Sequence, residues 1–95
     1  MKTIVNKTTT IATAPEQFLT TADLIKQSLN VVPQGGFTRE DFKVRDRIEA
    51  YLSDQARDFE LEDADVNALK KIVSEVRWTF RHPDLTDFLN EIEAL

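Results

Sequence analysis

The chain has 95 residues, seventeen acidic side chains against twelve basic ones, a net charge of −5 and no cysteine. These values fit one small folded domain and exclude disulfides, thiolate metal sites and a cysteine nucleophile. Apolar runs of two or three residues are too short to span a bilayer, and Lys2 leads into Thr-rich chain instead of the apolar stretch of a secretory signal. The expected compartment is the cytoplasm, with no membrane contact.

The first segment, residues 1–19, reads as an N-terminal arm, strand or extended. Its Thr, Ile and Val side chains suit extended backbone, and a short strand is expected around Thr3–Asn6, pairing with Thr9–Thr13. Residues 20–95 read as a helical domain. Thr20 or Thr21 caps a first helix with Asp23 in its opening turn, and Ala22, Ile25 and Leu29 share one face. Pro33 ends it by about Asn30, and Pro33-Gln34-Gly35-Gly36 is a reversal.

Thr38 and Asp41 have capping-box spacing, with Phe37 and Phe42 placed for a hydrophobic staple. The second helix is expected to reach Gln55–Asp58, burying Val44, Ile48, Tyr51 and Leu52. Arg39, Lys43 and Arg47 recur every fourth residue as a basic stripe, and Asp41 and Arg45 form a favourably ordered pair. Phe59-Glu60-Leu61-Glu62 alternates and suggests a brief extended stretch. Asp63-Ala64-Asp65 opens a third helix whose stripe of Val66, Leu69, Ile72, Val73, Val76 and Phe80 is the strongest helical signal, with Lys70, Arg77 and Arg81 on its exposed side. Pro83 starts a fourth helix with Leu85, Phe88, Leu89, Ile92 and Leu95 on its apolar face. The fold expected is therefore mainly α: a bundle of three to four helices with a short β-leaning arm. Its core would hold Ile25, Leu29, Phe42, Ile48, Leu52, Leu69, Ile72, Val76, Phe80, Phe88 and Ile92.

Chemistry is sparse. The single histidine, His82, precedes a proline between two helices, where a helix cap or solvent suits it better than catalysis. Asp63 and Asp65 resemble the start of a calcium loop but lack its Gly and closing Glu. The Gly35-Gly36 loop lacks the Lys-Ser/Thr of a phosphate cradle, and no nucleotide or hydrolase fingerprint occurs. No catalytic, cofactor-binding or metal-binding residue is assigned, and the chain reads as a non-enzyme. Trp78, on the third helix, either packs beneath the last helix or offers an aromatic anchor to a partner.

The Ala22-Asp23-Leu24-Ile25 segment, the Pro33-Gln34-Gly35-Gly36-Phe37-Thr38 turn, Arg45-Asp46-Arg47-Ile48, Leu61-Glu62-Asp63-Ala64-Asp65, and Trp78 ahead of Phe88-Leu89 follow a β-leaning start. This order of features, over residues 20–93, resembles small proteins of unknown function encoded by tailed bacteriophages and prophages. The resemblance implies an assembly factor or accessory structural component, in the host cytoplasm or on the virion. It carries no catalytic residues.

Three functions are compatible with this pattern to different degrees. The first is a non-catalytic interaction module that binds a partner protein as an assembly adaptor or self-associates, most simply as a homodimer, because a small domain gains buried area that way. Its contacts would come from the N-terminal strand, or from a patch of Phe18, Leu19, Val31 and Val32, with Trp78 as a further anchor. The second is an acidic regulator that mimics nucleic acid, motivated by Asp84, Asp87, Glu91 and Glu93 in the last fourteen residues. The third, binding duplex DNA through Arg39, Lys43 and Arg47, is opposed by the net charge.

Overall fold

The computed structural model describes residues 1–52 and 58–95. In chain order these form β1 (Lys2–Ile4), β2 (Thr8–Ala14), β3 (Gln17–Thr20), α1 (Thr21–Asn30), α2 (Arg39–Ala50), β4 (Phe59–Leu61), α3 (Asp63–Glu75) and α4 (Pro83–Glu93). The four helices share their core with two two-stranded antiparallel sheets, β1 with β4 and β2 with β3. The architecture is a mixed α/β globule, which corrects the mainly α bundle expected from helical periodicity.

The physical reason lies in the N-terminal strands, which find partners within their own chain. β1 pairs with β4, so that Ile4 faces Phe59 and both are buried. β2 folds back onto β3 through Pro15 and Glu16, and the expected pairing of Thr3–Asn6 with Thr9–Thr13 is not formed. Glu16 turns the hairpin at φ +64°, a left-handed conformation that costs a residue with a Cβ roughly 1 kcal/mol. The strands are tied to α1 as well. Thr21 N–H donates to the Lys7 carbonyl at 2.8 Å, and Ala22 N–H donates to Asn6 Oδ1 at 3.2 Å, satisfying N–H groups at the helix start.

Local signals set the helix starts. Thr20 with Asp23, and Thr38 with Asp41, each form a reciprocal capping box. His82 caps α4, its Nδ1 accepting from Asp84 N–H at 3.1 Å, with Pro83 in the first turn. Gly35 and Gly36, at φ +86° and +87°, take the left-handed turn between α1 and α2 that only glycine enters freely.

α3 lies against each of the other three helices. Leu24, Ile25, Ile48, Leu52, Leu69 and Ile92 are almost fully enclosed around it, and Ile4 and Ile11 from the strands reach the same core. Four expected core residues differ. Phe42 is 54% exposed, because it stacks beside Phe37 (ring centroids 5.5 Å apart) as an external staple on the first turn of α2. Phe80 is 38% exposed, and Ile72 and Val76 are half-buried.

Both remaining differences concern helix ends. α3 stops at Glu75, with Val76 extended at φ −73°, ψ 133°, so Trp78 and Phe80 are not helical. Val76, Trp78, Thr79 and Phe80 are all weak helix formers, and their summed preference outweighs the three-four spacing. α2 stops at Ala50, with Tyr51 and Leu52 in a turn. The part of its expected extension that covers residues 53–57 lies outside the described residues.

Candidate interaction surface

The residues that follow α1 and α3 come together at one end of the molecule. Val31, Val32 and Pro33 leave α1 and face Ile72, Val76 and Arg77 across a groove of about 950 Å³. A second depression of about 550 Å³ shares Ser74 and Val76 with the first and continues past Trp78 to Leu89 and Ile92. Val32 is 63% exposed and Val31 is also open. Two alkyl side chains thus stand in water across the groove from half-buried Val76, and half-buried Trp78 lines the adjoining depression.

Arg45 holds the floor of this groove in place. Its Nη1 donates to the Leu29 carbonyl at 2.8 Å, and its guanidinium lies 5.1 Å from the centre of the Phe37 ring. α1 carries no basic residue in its own last turn, so Arg45 of α2 supplies the cation that favours a helix C-terminus. Asp41, one turn before Arg45, has its carboxyl held below the usual aspartate range, chiefly by the Thr38 N–H that donates to it at 2.8 Å.

The joint between α2 and α3 is polar, and its carboxylate is enclosed. Asp65, only 2% exposed, accepts from Arg47 Nε at 2.6 Å and from the Tyr51 hydroxyl at 3.1 Å. Burial, then the bond to Asp65, pushes the Tyr51 phenol above the ordinary tyrosine value. This joint absorbs Arg47 from the expected basic stripe. Arg39 and Lys43 stay exposed on α2.

The acidic C-terminal helix is also partly committed. Asp84 Oδ2 accepts from both the backbone N–H and the hydroxyl of Thr10, each at 2.7 Å. Those bonds hold its carboxyl below the usual range, the Thr10 N–H contributing most. They also occupy one backbone group on the outer edge of β2, where a free edge would invite another strand. Glu91 pairs with Lys7, whose ammonium is held above its ordinary value chiefly by that hydrogen bond.

The other residues singled out from the sequence are scattered. Phe18 is 48% exposed on β3, at the start of α1, whereas Val31 and Val32 follow its end. Ten helical residues, about 15 Å, separate the two, so they do not form one patch. Leu19 is drawn against the core. Trp78 packs edge-on to Phe88 of α4, with centroids 6.4 Å apart, and edge-on to Phe80 at 6.3 Å. Its contact with α4 matches the expected packing beneath the last helix, but from the non-helical segment after α3 instead of from α3.

Two features escaped the sequence reading. The Asp65 joint depends on tertiary placement, and its trace is limited to an aspartate beside buried Val66. The segment Val76-Arg77-Trp78-Thr79-Phe80-Arg81 alternates apolar and polar residues with a period of two, a strand signal masked by the helical stripe that runs into it. No cluster of three metal-ligating side chains occurs among the described residues, and no described helix is long and apolar enough to cross a membrane. No family model, curated protein or solved structure matches the chain.

Proposed function

We propose that the protein is a small, non-catalytic interaction module that self-associates through the surface at the end of α3. The observation that carries this is the open groove there, with Val31 and Val32 in water opposite Val76 and with Trp78 lining the depression that adjoins it.

The N-terminal strand lends the dimer less support, because β4 already pairs with one of its edges. The end of α3 takes over that role. On the phage resemblance, such a module would serve as an accessory or assembly component. The nucleic-acid-mimic reading has less support, since Asp84 and Glu91 are engaged inside the molecule. Sedimentation equilibrium from micromolar to millimolar concentration tests the proposal. A mass rising towards twice 10.9 kDa is expected. A monomer throughout would remove self-association.

A further inference from the structure

Residues 76–81 have the properties of an unpaired strand. Val76 at its start and His82 just beyond its end both have extended backbones. Among the described residues, no backbone N–H or carbonyl from Arg77 to Arg81 makes a hydrogen bond. The alternation is partly expressed in space: Val76 and Trp78 are half-buried, Phe80 meets Trp78 edge-on while staying 38% exposed, and Arg77, Thr79 and Arg81 face solvent. The segment bends at Thr79 and Phe80. Unpaired N–H and carbonyl groups along such a segment are a template for a second strand.

Its sequence is complementary to itself when read in reverse. Antiparallel pairing on a two-fold axis through Trp78 sets Trp78 against Trp78 and Val76 against Phe80. The same register sets Arg77 against Thr79, and Glu75, the last residue of α3, against Arg81. Every apolar residue then meets an apolar one on a single face, and the outer charged residue meets its opposite. Shifting the register by one residue would mix the two faces. Two-fold pairs are also the commonest homo-oligomers, and in them one patch must match itself in this way.

We infer that a second copy of this chain covers the segment, the two copies joining residues 75–81 as an antiparallel ribbon with Trp78 on the two-fold axis. The inference rests on the self-association proposed above and names its contact. Pairing straightens the bend at Thr79 and Phe80 and gives the free backbone groups partners. The attraction between Glu75 and Arg81 occurs twice, once on each side of the axis.

Charge exchange tests this with little risk to the fold, because Glu75 and Arg81 are exposed and make no ion pair among the described residues. Glu75→Arg and Arg81→Glu should each weaken the dimer about tenfold in sedimentation velocity, since two cross-strand pairs turn repulsive. The double exchange should restore affinity to within about threefold. Glu75→Arg is the sharper variant, because it makes an acidic chain less acidic and would strengthen any dimer limited by net charge alone. Trp78 is the single tryptophan, so its emission should shift with concentration along the same isotherm. A dimer indifferent to both reversals would overturn the ribbon and leave self-association standing. A monomer at every concentration would overturn both.

Discussion

Arg47→Met is the most informative single change at the joint between α2 and α3. It removes a guanidinium whose Nε lies 2.6 Å from a carboxylate that is 2% exposed. Breaking a fully buried pair from one side costs about 3–5 kcal/mol, mostly from leaving a charge without its partner. Here the cost is smaller. The Arg47 side chain is 52% exposed, so water can enter the vacated side, and the Tyr51 hydroxyl still donates to Asp65 at 3.1 Å. Asp65 also sits in the first turn of α3, where the helix dipole favours a negative charge.

A loss of about 2–3 kcal/mol follows, or a melting temperature lower by roughly 10–15 °C, given about 5 °C per kcal/mol for a chain of this length. Urea unfolding of Arg47→Met, Asp65→Asn and the double variant measures both the loss and the coupling between the two residues. The coupling should exceed about 1 kcal/mol, because they are in direct contact. Arg47→Met within about 0.5 kcal/mol of the parent would show that Asp65 does not depend on Arg47.

Leu69 is fully enclosed on α3, and Leu69→Ala should cost about 2–5 kcal/mol in the same assay; a shift of only a degree or two would mean the cavity closes freely. Glu16→Gly should stabilise the hairpin by roughly 0.5–1 kcal/mol by relieving the positive φ, and any destabilisation would contradict that backbone geometry. Asp84 is depressed in the folded state, so its contribution is complete above the ordinary aspartate value near 4 and disappears as pH falls through its lower folded value. The urea midpoint of the parent should therefore fall more steeply on acidification than that of Asp84→Ala, and parallel curves would refute the bond to Thr10.

Features that depend on near neighbours could be read directly from the sequence. Thr20 with Asp23, Thr38 with Asp41, Phe37 with Phe42, and His82 before Pro83 each act within a few residues, and each does in the structure what its spacing implies. The pairing of Lys2–Ile4 with Phe59–Leu61 joins segments more than fifty residues apart, and nothing in either short strand names the other. That is why a mixed α/β fold looked mainly helical. At the end of α3 two periodicities overlap. Val76 fits the helical stripe and also opens the alternating run, and the weak helix preference of the residues after it decides the outcome. Val31 and Val32 were recognisable as surface residues, whereas the groove they form with Val76 and Arg77 exists only once α1 and α3 are packed together.

The absence of cysteine allows one most direct measurement. A Thr79→Cys variant carries a nitroxide at a single, exposed position beside the Trp78 axis. In the proposed ribbon the two labelled residues are diagonal neighbours about 7–8 Å apart. Pulsed dipolar spectroscopy, run at a concentration where sedimentation shows a dimer, should then give a narrow intermolecular distance below about 20 Å, allowing for the label arms. A longer distance, or no intermolecular coupling, would contradict the claim that the end of α3 is the surface on which two copies meet.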